Sequence, residues 1–158
     1  MNDLTSSRSL KVVCYEPDIA QNLGTTIRLC ACFGVKLVII EPCGFPFSSR
    51  ALKRSSLDYA EFADVSKYKN FESFCLDHVG SRLILLTTKT NRNIWDFSFK
   101  SNDVLVMGSE TSGVSELVAQ KVDAKLVIPM PGGGRSLNVA VSTGIALGEA
   151  TRQLRSVS

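Results

Sequence analysis

Short, densely apolar runs punctuate the chain: Leu10–Tyr15 (LKVVCY), Lys36–Glu41 (KLVIIE), Arg82–Thr87 (RLILLT), Asp103–Met107 (DVLVM) and Lys125–Met130 (KLVIPM). Each is too short for a helix and too uniformly apolar for a strand with one wet face. They read as strands buried on both sides, the pattern of a parallel sheet. A weaker candidate strand spans Ala60–Val65. Helical spacing fills the gaps. Leu23, Ile27, Cys30 and Ala31 recur on one face of Gln21–Gly34, with Gly34 as its stop. Phe71, Phe74 and Cys75 face inward on Asn70–His78, and Ser48–Ser56 reads as a short polar helix. Ser115 caps a short helix with Glu116 in its first turn, where the dipole favours a carboxylate. After the last strand, Pro131–Arg135 forms a glycine-rich loop and Ser136 stands where the N-cap of a long final helix belongs. Thr88–Phe99 is a polar loop holding Lys89, Arg92 and Trp95. Strand, helix, strand with short joints predicts an α/β fold on a parallel sheet. Residues 1–9 form a polar tail, and with no linker or repeat after it residues 10–158 make one domain.

The final helix carries Ala140, Gly144 and Gly148 at intervals of four, with Leu137, Val141, Ile145 and Leu154 supplying bulk beside them. Each mid-helix glycine costs about 1 kcal/mol relative to alanine. A close backbone contact, with the sheet or with a partner subunit, must offset that.

Composition narrows the class. The chain has 158 residues, 44% hydrophobic and 21% charged, which suits one core. No apolar run nears the ~20 residues of a membrane helix, and the N-terminus lacks a signal core, so a cytoplasmic protein with no membrane partner is expected. The net charge of +3 permits a nucleic-acid partner without demanding one. Five cysteines with no Cys-x-x-Cys pair argue against both disulfides and zinc, and the single histidine, His78, has no ligands arranged around it. No metal is expected.

Three stretches of small and polar residues remain: Asn22–Arg28, Gly108–Gly113 and Gly132–Asn138. Loops at the carboxyl ends of parallel strands are where α/β proteins bind ligands. The second has the G-x-x-x-x-G spacing of a phosphate loop, but Val114-Ser115 follows where that motif needs lysine, which argues against a nucleotide triphosphate. The dinucleotide fingerprint is also missing. Arg28 either points to solvent or uses its fork to hold a phosphate.

Together, N-x-G-x-x-x-R at Asn22–Arg28, G-S-E-T-S-G at Gly108–Gly113 and IPM…SLNVAVSTGIA at Ile128–Ala146 resemble the three ordered motifs of the SpoU (TrmH-type) RNA ribose 2′-O-methyltransferases of the SPOUT class. YEPDIAQNLGTTIRLCACFG, IIEPCGF, LKRSSLDYAEF and LLTTKT are similar to the branch acting on the cytidine or uridine wobble ribose of tRNA. The resemblance implies a SPOUT fold with a C-terminal trefoil knot, its loops following Leu86, Met107 and Met130, a homodimer, and S-adenosylmethionine as cofactor. It assigns cofactor binding to Leu86, Thr87, Gly108, Glu110, Gly113, Ile128, Met130, Ser136 and Leu137. It assigns the catalytic site to Arg28, Asn22, Glu110, Ser136 and Asn138, with Arg28 at the reacting ribose. Because an arginine is a poor base, a clamp on phosphate or developing charge is preferred to proton removal. RNA contacts are expected from Arg50, Lys53 and Arg54 on one helix face, and from Lys89 and Arg92. Wobble enzymes usually carry proline and arginine where this chain has Ser109 and Ser112, and S-M-N-L-S where it has S-L-N-V-A. Those departures look more like SpoU enzymes acting on other tRNA or rRNA sites, whereas the lack of an extra RNA-binding domain fits an accessible anticodon loop, so the tRNA wobble nucleotide is the expected substrate, with tRNA favoured over rRNA. Another tRNA or rRNA site and a noncatalytic RNA-binding role are the alternatives.

Overall fold

The computed structural model describes residues 10–46, 50 and 63–155. Among the described residues six strands form one parallel sheet: β1 (Lys11–Tyr15), β2 (Lys36–Ile40), β3 (Val65–Tyr68), β4 (Leu83–Leu86), β5 (Val104–Met107) and β6 (Ala124–Leu126). Their spatial order is β3-β2-β1-β5-β4-β6. Among the described residues four helices with defined ends accompany them: α1 (Ala20–Phe33), α2 (Phe71–Asp77), α3 (Glu116–Lys121) and α4 (Val139–Arg155).

The uniform apolar runs have a direct cause. Val12, Cys14, Leu37, Ile39, Ile84 and Leu105 enter one core with Leu23 and Ile27 of α1 and Ala146 and Leu147 of α4. Val13, Tyr15, Val38, Ile40, Leu85 and Val106 alternate with them and meet Phe71 and Phe74 of α2 and Val118 of α3 on the opposite face. Both faces of the central strands are covered, so their inner positions are apolar on either side, while polar residues are kept to strand ends and to the outer strands β3 and β6. Cys14 and Cys30 are free thiols in the first core, and burial pushes the Cys30 thiol up to about 12.

Local signals in the sequence match the observed ends. Gly34 ends α1 in the left-handed region at φ 66, and the following Val35 N–H donates to Cys30 O at 3.0 Å. Asn70 and Ser115 cap α2 and α3, accepting from Ser73 N and Val118 N. Four expectations need correction. The strand read at Ala60–Val65 begins only at Val65 and runs to Tyr68, with Ala63 and Asp64 outside it. The last strand stops at Leu126, because Val127 turns to pair with Asn93 and Pro129 cannot continue a ladder. The Thr88–Phe99 loop contains a 3₁₀ turn, Ile94–Asp96, capped by Asn93. Ser136 does not cap the final helix: α4 begins at Val139, and Asn138 Oδ1 accepts from Ala140 N at 2.8 Å. The expected tail at residues 1–9 and most of the helix expected at 48–56 lie outside the described residues.

Within this chain the glycine stripe of α4 faces a helix at Gly144 and open space at Gly148. A Cβ on Gly144 would sit 3.8 Å from the Leu29 side chain of α1, so this glycine serves a helix–helix contact. Gly148 has nothing within 4 Å of its missing Cβ, and nearby Val141 is 52% exposed. Among the described residues no helix is long and apolar enough to cross a membrane.

At the amino ends of β4 and β5, Asp103 is 1% exposed and receives a two-pronged contact from Arg82: Nε to Oδ1 and Nη2 to Oδ2, each at 2.7 Å. Lys100 N donates to the same carboxylate at 2.7 Å. The cavity described next lies at the other end of these strands.

Candidate active site

The carboxyl ends of β4, β5 and β6 lie side by side, with Leu86 in register with both Met107 and Leu126. Beyond them the chain leaves the sheet three times, and the departing segments enclose a cavity of about 390 Å³. Every residue assigned to the cofactor lines it: Leu86 and Thr87 from the first segment, Gly108, Glu110 and Gly113 from the second, and Ile128, Met130, Ser136 and Leu137 from the third. The first segment adds Lys89 and the third adds Arg135.

The second segment is a tight, self-closed turn. Ser109 N donates to Gly113 O at 2.9 Å and Gly113 N donates back to Ser109 O at 3.0 Å. Gly113 sits at φ 64, and a Cβ on Gly108 would stand 2.7 Å from the Gly113 carbonyl carbon. Glycine at 108 is therefore a requirement of close backbone approach. Within the turn Ser109 and Ser112 are joined to each other, Oγ to Oγ at 2.9 Å.

A row of hydrogen bonds binds the three motif segments together and reaches the cavity wall at Glu110. Asn138 Nδ2 donates to Asn22 Oδ1 at 2.9 Å, and Asn22 Nδ2 donates to Glu110 Oε1 at 3.2 Å. Glu110 Oε2 accepts from Asp18 N at 3.0 Å, and Glu110 N donates to Asp18 Oδ1 at 3.1 Å. Thr111 Oγ1 also donates to the Asp18 carboxylate. Burial pushes the Glu110 carboxyl up, and the contact with Asp18 adds to it. Hydrogen bonds from Glu110 and Thr111 hold Asp18 below the usual carboxylate range.

Asp18 carried no role in the sequence reading. It lies just past β1, where Glu16 at φ 44 turns the chain out of the strand. The loop after β2 presses against it, since a Cβ on Gly44 would fall 2.6 Å from Asp18 Cβ. The available signal was its position at the carboxyl end of a central strand, but its partner Glu110 is 92 residues away.

The remaining assigned residues divide. Asn22, Glu110 and Asn138 meet in the hydrogen-bonded row, and Ser136 lines the cavity. Arg28 is exposed on α1 and is not among the cavity-lining residues of this single chain. It follows Asn22 by six residues, which places it about 9 Å further along the helix and about a third of a turn away. Lys89 lines the cavity, Arg92 holds its guanidinium 4.8 Å above the Phe97 ring, and Arg50 is exposed. Lys53 and Arg54 lie outside the described residues. Among the described residues no cluster of His, Cys, Asp or Glu could hold a metal.

Residues 9–148 match the model of the SpoU rRNA methylase family. The chain belongs to the SpoU methylase family. The match spans all six strands and all three cavity segments. A SpoU relative from Beijerinckia indica subsp. indica, a tRNA (cytidine(34)-2′-O)-methyltransferase, is 47% identical over 89% of this chain and 89% of its own. A solved structure concerned with the 2-OH methylation of C/U34 on tRNA superposes with a TM-score of 0.89, at 38% identity over 93% of this chain and 97% of that one. An AdoMet-bound rRNA methyltransferase from Sinorhizobium meliloti has a TM-score of 0.81 at 28% identity, over 92% of this chain and 56% of that one.

Proposed function

We propose that this chain is an S-adenosylmethionine-dependent methyltransferase acting on the ribose 2′-hydroxyl of the wobble cytidine or uridine of tRNA. The observation that carries the reading is the Asn138–Asn22–Glu110 row, which ties all three SpoU motifs together and reaches the wall of one cavity at Glu110. The relative named for cytidine 34 and the C/U34 structure supply the substrate.

The cavity suits the cofactor. Its volume is within the ordinary range for small-molecule sites. Leu86, Ile128, Met130 and Leu137 offer apolar walls for an aromatic base, and the backbone beyond the strand ends offers donors and acceptors for its edge. Bound S-adenosylmethionine supplies an electrophilic methyl group. The chain's own residues align and stabilise. Glu110, braced by Asp18 and Asn22, fixes the Gly108–Gly113 turn along the cofactor. Asn138 holds the start of α4 against α1, which keeps Ser136 and Leu137 in the cavity wall. Arg28 clamps a substrate phosphate or the developing charge, reaching a cavity of the partner in a homodimer. Alignment supplies much of the rate, since a displacement requires its reacting atoms in line.

Residues 10–158 act as one SPOUT domain with the knot that its relatives' motifs imply. The bond from Gln153 Nε2 on α4 to Phe97 O at 2.8 Å, which seats the C-terminal helix in the long β4–β5 segment, supports it. The compartment is the cytoplasm. The homodimer draws support from the open α4 face with Val141 and Gly148. Val141→Asp is expected to yield a monomer by sedimentation velocity. A carboxylate in the first turn of α4 favours the helix, so loss of the dimer would not come from unfolding.

The direct test incubates the protein with tRNA, rRNA and labelled S-adenosylmethionine, and maps the product by mass spectrometry. Methylation at ribose 34 is the expected result, and methylation elsewhere selects another SpoU substrate. In the same assay Arg28→Ala is expected to lower turnover at least about tenfold, the loss of a charge-assisted contact. Arg28→Lys should not restore it, because an ammonium lacks the fork. Full turnover by Arg28→Ala would remove Arg28 from the mechanism.

A further inference from the structure

Trp95 is the only tryptophan of the chain, and it is 50% exposed. An aromatic side chain of this size is ordinarily buried, and nothing in its segment requires it to be outside. The segment is also not loose. Asn93 Oδ1 accepts from Trp95 N at 2.8 Å, and the preceding Ile94 is 0% exposed. The backbone is pinned on both sides of Asn93: Val127 N donates to Arg92 O at 2.8 Å, and Ile94 N donates to Val127 O at 3.0 Å. Val127 lines the cavity. Trp95 is thus displayed on a rigid turn, one residue from a residue that is hydrogen-bonded to the cavity wall.

Its surroundings are cationic. Lys89 stands at the cavity itself, and Arg92 is exposed with its guanidinium fixed over Phe97. With Lys100 they give the segment from Thr88 to Lys100 three cations against the single acid Asp96. An exposed aromatic on a pinned backbone, in a segment that carries these cations and is bonded to a cavity-lining residue, fits an unpaired base whose neighbouring phosphates meet the cations. A protein partner would more often surround such an aromatic with other apolar surface, which this segment does not offer.

We infer that Trp95 is a stacking platform for an unpaired base of the substrate RNA next to the nucleotide whose ribose enters the cavity. Lys89 and Arg92 hold the phosphates on either side. The inference rests on the RNA methyltransferase reading. It adds a binding residue outside the three SpoU motifs that discriminates single-stranded loops from duplex, since a paired base cannot present its face.

Trp95, as the sole tryptophan, reports on itself. Titrating the full-length protein with unmodified tRNA is expected to quench its fluorescence to saturation, and duplex RNA of equal length is expected to quench it far less. Trp95→Ala is expected to raise KM for tRNA about five- to a hundredfold, the effect of one lost stack, with kcat changed less. Trp95→Phe should recover most of that loss. The affinity for S-adenosylmethionine by calorimetry should be unchanged. The salt dependence of tRNA binding should keep its slope in Trp95→Ala, because stacking releases no counterions, and should flatten in a Lys89→Gln, Arg92→Gln variant. Unquenched Trp95 in a saturated tRNA complex, or a wild-type KM in Trp95→Ala, overturns the platform and leaves the methyltransferase reading intact. Failure of the wild-type protein to methylate or bind any RNA overturns that reading and the platform with it.

Discussion

Gly108→Ala is expected to weaken S-adenosylmethionine binding about a hundredfold, measured by calorimetry on protein that remains folded. The added methyl would lie 2.7 Å from the Gly113 carbonyl carbon and 2.8 Å from its Cα. Both obstacles are backbone, so no rotamer change relieves the clash. They belong to the residue that closes the turn through paired bonds with Ser109. Overpacking costs about 1–3 kcal/mol where side chains can yield, and an immovable obstacle puts this site at the upper end. The strain falls on the segment that borders the cavity, so affinity suffers more than global stability. Gly132→Ala is the matched control: a Cβ there meets nothing within 4 Å, and affinity should stay within about a factor of three. Equal affinity in Gly108→Ala and the wild type would mean that the Gly108–Gly113 turn does not border the cofactor.

Asp103→Ala is expected to cost about 3–5 kcal/mol in denaturant unfolding, the price of breaking a buried ion pair from one side. The carboxylate is 1% exposed and accepts from Arg82 twice and from Lys100 N once. Its removal strands those donors. The Arg82 side chain is 31% exposed, so water recovers part of the loss and the lower end of the range is expected. Replacing both partners, Arg82→Met with Asp103→Leu, should recover part of the stability, because no charge is then left unpaired. S-adenosylmethionine affinity measured well below the melting temperature should be unchanged, since this pair sits at the amino ends of β4 and β5 and the cavity at their carboxyl ends. A fall in affinity parallel to the fall in stability would show that the two ends of the sheet are coupled. Gly108→Ala and Asp103→Ala thus separate the site from its scaffold.

The cavity wall was legible before any coordinates because its residues are contiguous in short motifs. Gly108–Gly113 must close in the space between strand and helix, and its glycines and serines announce that. The stops and caps at Gly34, Asn70 and Ser115 were legible for the same reason, since each satisfies backbone groups within its own turn. Ser136 misled because serine and asparagine cap equally well. Asn138 takes the position because its amide also reaches Asn22, 116 residues away, which no local rule can weigh. The strand β3 was misplaced because VSKY is an edge strand with an exposed, half-exposed alternation, and it carries no dense apolar signal. Arg28 was recognisable by motif, yet one chain does not bring it to the cavity.

Read alone, the order of residues determined the alternation of strands and helices, the doubly buried central strands and the small-residue segments Gly108–Gly113 and Gly132–Asn138 at the strand ends. All of these follow from periodicity and from chain geometry within a few residues. Only the tertiary structure decided that β5 inserts beside β1, which brings Asp18 to Glu110, and that Val127 pairs with Asn93, which ties the segment of Trp95 to a cavity-lining residue. Those pairings join segments far apart in the chain. Their free energy depends on which surfaces remain uncovered once every other element has packed, and no local pattern encodes that.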